Sequence, residues 1–284
     1  MKSPTLAPAV VARAVERALA EDIGSGDLTS QAVVPEETRL RAALTAREPL
    51  TLAGLPVVHE VYRQLGDPEA LDDASPEGSQ LQPGEVAGVI DTNARLALTG
   101  ERTALNFLQR LSGIATLTRT FVEEVAGTGA SILDTRKTVP GFRALDKYAV
   151  ALGGGVNHRF GLFDAVLIKD NHIAAAGGVT AALRAAHAAN RNGVRVQIEV
   201  DTLDQLDEAL AAGAEFVLLD NMTPAQVHTA VNRTAGRARL EVSGLVNLGN
   251  VRAYAEAGVD DISIGALTHS ARAVDIGLDA IELL

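Results

Sequence analysis

The chain has 284 residues, 47% hydrophobic and 3% aromatic, with a formal net charge of −11 and neither cysteine nor tryptophan. Without cysteine there is no disulfide, no thiolate nucleophile and no cysteine-held metal, and a strongly acidic chain is a poor match for nucleic acid as its main partner. The length suits one large domain or two smaller ones, with alanine and aliphatic side chains filling the core.

The amino-terminal stretch MKSPTLAPAVVARAVERALAEDIG is broken by prolines and then charged, unlike the apolar core of a signal peptide. No run approaches the roughly 20 apolar residues of a membrane span, so a soluble cytoplasmic protein is expected. Val11, Val15 and Leu19 predict an amphipathic helix over residues 8–20. EDIGSGDLTS, residues 21–30, is rich in turn formers and reads as a loop. Residues 39–90 read as strands and turns with one helix: Leu40, Ala42 and Leu44 alternate with polar neighbours, Pro56 to Leu65 suits the helix, and Val86 to Ile90 a strand. Asn93 to Arg110 predicts a further helix, with Arg102 a solvated side chain, an ion-pair partner of Glu101 or Glu124, or a functional cation. The carboxy-terminal residues 270–284 read as a helix returning to the amino-terminal domain.

Beyond residue 130 the chain becomes regular. Apolar runs at Ser131–Leu133, Ala165–Ile168, Val194–Val200, Phe216–Leu219, Leu240–Val242 and Ile262–Ile264 alternate with helical patterns. Polar or small residues close the last four runs at Glu199, Asp220, Ser243 and Gly265, a spacing of one βα unit. Thr202 with Gln205 and Thr223 with Gln226 have capping-box form, and Pro224 fits a first helical position. Gly213, Gly236 and Gly258 stop the helices. Repeated βα units form a barrel or an open parallel sheet, with functional side chains at the carboxyl ends of the strands.

Between two of those runs lies DTRKTVPGFRALDKYAVALGGGVNHRFGLFDAVLIKDNH, residues 134–172. It holds six basic residues against four acidic ones, in a chain that is otherwise acidic. Such a segment fits a small anion better than bulk solubility. Arg136 and Lys137 follow one apolar run, Lys169 follows the next, and three glycines precede His158 and Arg159.

DTRKT, PGFRALDKYAV, GGGVNHRFGL and LIKDNH, in this order and spacing, closely resemble the quinolinate phosphoribosyltransferase family, and the likeness runs from EDIGSGDLTS to ALTHS. The resemblance implies an α/β fold: an incomplete, open α/β barrel over residues 113–270 beside an amino-terminal α+β sandwich domain over 1–112, joined by 271–284. It implies phosphoribosyl transfer from phosphoribosyl pyrophosphate to quinolinate with decarboxylation, in NAD biosynthesis. Quinolinate would be held by Arg136, His158, Arg159 and Lys169, with Arg102 supplied by a neighbouring subunit. Lys137 and Lys169 would contact phosphoribosyl pyrophosphate or the anion that develops on decarboxylation, and which lysine does so stays open. Glu199 and Asp220 would stabilise charge near C1′, hold ribose hydroxyls or hold Mg²⁺; the bland alternative is that each caps the next helix. Ser243, Gly244, Gly265 and Ala266 are candidates for the 5′-phosphate, with His269 near the pyrophosphate. Leu245 departs from the small residue that many family members carry after Ser-Gly. A shared site implies a homodimer or a hexamer of dimers.

Two other readings compete. One is a related phosphoribosyltransferase with another acceptor, such as nicotinate, or a molybdenum-transport-associated paralogue; Arg136, His158 and Arg159 favour a dicarboxylate. The other is a non-catalytic barrel that senses phosphorylated ligands, against which Lys137, Lys169, Glu199 and Asp220 are all retained.

Overall fold

A computed structural model describes residues 4–283. The chain begins with α1 (Pro8–Ile23), α2 (Leu28–Val33), β1 (Arg39–Ala46), β2 (Leu50–Thr51), α3 (Leu55–Leu65), β3 (Leu71–Asp72), β4 (Gln80–Leu81), β5 (Val86–Asn93) and α4 (Ala94–Glu124). It continues with β6 (Ser131–Leu133), α5 (Arg143–Leu152), β7 (Val166–Ile168), α6 (Asp170–Ala176), α7 (Val179–Ala189), β8 (Val196–Val200) and α8 (Leu203–Ala211). The last elements are β9 (Phe216–Asp220), α9 (Pro224–Thr234), β10 (Arg239–Ser243), α10 (Val251–Glu256), β11 (Asp261–Ser263), α11 (Ala266–His269) and β12 (Ile276–Leu283).

These form two compact units. The first runs to Arg119 and adds Thr138–Gly154 and the chain from Leu267. It is built on a four-stranded antiparallel sheet in the order β12-β1-β5-β3. Val11, Val15 and Leu19 are buried along α1, as the four-residue spacing requires. The expected division at residue 112 falls within α4, which the first unit holds as far as Arg119. Residues 138–154 join the first unit because α5 bonds to it: Tyr148 Oη donates to Glu77 Oε2 at 2.7 Å and Arg110 Nη2 to Asp146 Oδ1 at 3.1 Å.

Three expectations change here. The carboxy-terminal segment is a strand, not a helix: β12 pairs antiparallel with β1. Val274 and Ile276 are buried while Asp275 and Asp279 are exposed, a two-residue period that suits a sheet face. Leu284 lies outside the described residues. EDIGSGDLTS is not all loop, because Asp27 caps α2 by accepting from the Ser30 N–H at 2.9 Å. The Asn93–Arg110 helix runs on to Glu124 through Gly113. A Cβ there would stand 2.0 Å from the Arg272 carbonyl oxygen, so the backbones approach only because glycine is present.

The second unit holds the βα repeats. Its six strands lie in the order β6-β11-β10-β9-β8-β7, all neighbours parallel. β6 and β7 occupy opposite edges, so this is an open barrel rather than a closed one. At the β6 edge, Val156 forms a parallel bridge with Leu133, which brings the residues after the triple glycine alongside the sheet. Ile198, Val217, Leu219, Val242 and Ile262 are essentially inaccessible. The repeated caps are present: Thr202 and Thr223 each accept from the N–H three residues on while Gln205 and Gln226 reach back.

Candidate active site

The second unit carries a cavity of about 430 Å³ at the carboxyl ends of its strands. Register explains its lining. Leu218 and Asp220 on β9, Glu241 and Ser243 on β10, and Ser263 on β11 are alternate residues of parallel strands, and so share one face. Leu167 and Glu199 extend that face on β7 and β8. Thr135, Arg136 and Lys137 enter from the turn after β6, His158 and Arg159 from the segment beside it, and Lys169 from the end of β7.

Nine of the expected site residues meet here: Arg136, Lys137, His158, Arg159, Lys169, Glu199, Asp220, Ser243 and Gly244. Gly265 and Ala266 follow β11 in the same unit but do not line this cavity. Arg102 and His269 belong to the first unit. Arg102 is exposed on α4 with Glu101 4.0 Å away, and His269 Nδ1 lies 2.6 Å from Ser270 Oγ. Leu245 stands outside the lining, 74% exposed in the left-handed region at φ +58°, so its side chain does not fill the cavity.

The cavity balances four strong bases, Arg136, Lys137, Arg159 and Lys169, against three acids, Glu199, Asp220 and Glu241. Lys169 Nζ donates to Glu199 Oε2 at 3.1 Å. Burial pushes the Glu199 carboxyl above its ordinary range and Lys169 only partly offsets this. Burial also raises Asp220, and the nearby Asp201 adds to it. Burial, then the neighbouring Arg136, ease Arg159 down, although a guanidinium stays charged. Arg159 Nη1 donates to the Ala165 carbonyl at 3.1 Å.

Thr135, Leu167, Leu218, Asn221, Glu241 and Ser263 complete the lining without having been expected there, and three of them carry a structural role. Asn221 has φ +53° and donates from Nδ2 to Asp220 Oδ2 at 2.7 Å. Glu241 and Ser263 each sit between two apolar residues of a core strand. That was their signal: a polar side chain inside a buried run marks the inner face of the sheet.

The His158 ring lines the cavity but is largely buried, with Nε2 3.3 Å from Glu241 Oε2, and Nδ1 accepts the Arg159 N–H at 2.7 Å. Among the described residues no group of three or more His, Asp or Glu side chains is placed to hold a metal ion, and no helix is long and apolar enough to cross a membrane.

Comparison with known proteins identifies the family. Models of the amino- and carboxy-terminal domains of quinolinate phosphoribosyl transferase match residues 27–112 and 114–279. A carboxylating nicotinate-nucleotide pyrophosphorylase of Mycobacterium leprae is 48% identical over 278 residues, which cover 93% of this chain and 95% of the relative. A probable enzyme of the same name from Bacillus subtilis is 42% identical, over 91% of this chain and 89% of its own. The solved nicotinate-nucleotide pyrophosphorylase of Francisella tularensis superposes with a TM-score of 0.92 at 40% identity, over 97% of this chain and 98% of that one. With both domain models matched in order and full-length relatives well above the identity at which family is in question, the chain belongs to the quinolinate phosphoribosyltransferase family.

Proposed function

We propose that the cavity of the second unit is where this decarboxylating quinolinate phosphoribosyltransferase of NAD biosynthesis carries out its reaction. The observation that carries the assignment is the set of four bases converging at strand ends beside two acids held above their ordinary range. Both substrates are polyanions, which is why an acidic chain gathers bases here.

In this reading the acceptor nitrogen attacks C1′ of phosphoribosyl pyrophosphate. The C1′–O bond breaks with pyrophosphate leaving, the C2 carboxylate departs as carbon dioxide, and a proton replaces it. Arg136 and Arg159 present planar forks to the ring carboxylates, with Lys169 beside them. Lys137 and Lys169 stabilise phosphates and the negative charge left at C2. Glu199 and Asp220 face the positive charge that develops at C1′. Ser243 and Gly244 serve the phosphates of the donor. Arg102 completes the site of a second copy, which makes the working unit a homodimer with shared sites, or a hexamer of such dimers.

A Mg²⁺ ion carried mainly by substrate phosphate needs only one or two protein oxygens. Glu199 and Asp220, ending adjacent strands, fit that role, and the ion would neutralise charge on the leaving pyrophosphate.

The test is one incubation of the purified chain with quinolinate, phosphoribosyl pyrophosphate and Mg²⁺, following nicotinate mononucleotide and carbon dioxide together. Both products in equal amount, with none from nicotinate as acceptor and none without Mg²⁺, are expected. Product from nicotinate instead would overturn the acceptor assignment.

A further inference from the structure

Glu241 is a carboxylate at the middle of β10, 2% exposed and flanked by core residues. An acid on the floor of a cavity built for a dicarboxylate has the wrong sign to be a ligand. Its bonds point elsewhere. Gln197 Nε2 on β8 reaches across β9 and donates to Oε2 at 2.8 Å. The Ser263 hydroxyl on β11 donates to Oε1. His158 Nε2 faces Oε2 at 3.3 Å.

His158 is held from both sides. Its backbone N–H donates to the buried Asp134 Oδ1 at 2.8 Å. With Nδ1 accepting the Arg159 N–H at 2.7 Å, Nε2 is left as the donor towards Glu241. The imidazole is therefore a strut between the sheet floor and the backbone of the arginine that lines the cavity wall.

We infer that Glu241 is a positioning residue of the acceptor subsite: braced by Gln197 and Ser263, it holds His158 in the Nε2–H tautomer and so sets the Arg159 guanidinium for the ring carboxylates. This rests on the reading that the cavity takes quinolinate at Arg159.

The experiment compares wild type, Glu241→Gln and Glu241→Ala. It reads KM for each substrate, kcat, and the ¹⁵N imidazole spectrum, with the His158 signals assigned by their loss in His158→Asn. Glu241→Gln keeps an acceptor for His158 and can turn its amide nitrogen to the Ser263 hydroxyl. It is expected to keep the tautomer and a quinolinate KM within about threefold of wild type. Glu241→Ala is expected to lose the tautomer signature and raise the quinolinate KM by about tenfold or more, with the phosphoribosyl pyrophosphate KM within about twofold. Should Glu241→Ala not fold, Ser263→Ala removes one brace and must give a selective rise of about threefold in the same KM.

An unchanged tautomer and KM in Glu241→Ala would overturn the inference. So would equal rises in both KM values, which mark a general structural loss. A fall in kcat in Glu241→Gln at unchanged KM would place the charge on the chemistry instead. Failure of wild type to turn over quinolinate would count against the acceptor assignment and not against Glu241.

Discussion

Gly244 offers the sharpest test of how the end of β10 is built. It has φ +85°, and a Cβ added there would stand 2.1 Å from Asn221 Oδ1 and 3.2 Å from the Asn221 backbone nitrogen. Gly244→Ala thus carries two costs. Left-handed backbone costs an alanine about 1–2 kcal/mol. Moving the Asn221 side chain breaks its 2.7 Å bond to Asp220, a bond to a charged group worth about 1.5 kcal/mol at the exposed end of the usual range. Together they come to about 3 kcal/mol, or a fall in Tm of about 6 °C for a chain of this size. Asp220, once released, no longer meets the donor substrate in one orientation, and a loss of about 1.4 kcal/mol there is a tenfold rise in the phosphoribosyl pyrophosphate KM. Differential scanning fluorimetry and steady-state kinetics read the two effects. Asn221→Ala removes the colliding oxygen, so the double variant should lose less than the two single losses combined, by more than about 0.5 kcal/mol. Additive losses, or a Gly244→Ala enzyme indistinguishable from wild type, would refute the argument.

Glu199→Gln should lower kcat while leaving folding unharmed or slightly improved at neutral pH. The folded state holds the Glu199 proton more tightly than the unfolded chain does, so this group's contribution to stability is largest below the unfolded pKa and declines as pH rises through the folded one. The acid limb of the wild-type pH profile should accordingly lie above the ordinary carboxylate range and vanish in the variant; a limb unchanged in Glu199→Gln would rule it out as the titrating group. Arg239 donates to both oxygens of the buried Asp261, at 2.6 and 2.7 Å, from the opposite end of β10 to Ser243. Arg239→Ala should cost about 1–3 kcal/mol in urea unfolding with both KM values unmoved, and a changed KM would mean that the two ends of the sheet are coupled. Arg102→Ala and Lys137→Ala, each inactive alone, should regain partial activity when mixed and allowed to exchange subunits, and no recovery after confirmed exchange would defeat the shared site.

What was legible in the sequence followed from period and spacing. The βα repeat announced itself because each strand, covered on one face by helices, must be apolar at Val196, Ile198 and Val200 or at Leu240 and Val242. The bases at the strand ends were legible because charge begins where those runs stop. The inner face was harder to read. Gln197, Glu241 and Ser263 are polar within apolar runs, and sequence alone does not say that the three meet, since their contact depends on the curvature of an open barrel across β8, β10 and β11. The strand β12 was missed for the complementary reason. Its edge position beside β1 decides its conformation, and pairing between residues more than two hundred positions apart leaves no local mark.

The acids within an anion-binding cavity are then three different things rather than one. Glu241 is turned to Gln197, Ser263 and His158 and shapes the floor. Glu199 occupies Lys169 at 3.1 Å, and an incoming carboxylate must compete for that ammonium. Asp220 is tied on one oxygen to Asn221, and on the proposed assignment its carboxylate would face C1′. A site of bases alone would bind both substrates and both products tightly, and uniform binding does not accelerate the chemical step. On the proposed assignment, acids set among the bases would weaken ground-state anion binding while favouring the cationic carbon at C1′, and that difference is what a phosphoribosyl transfer would require of this cavity.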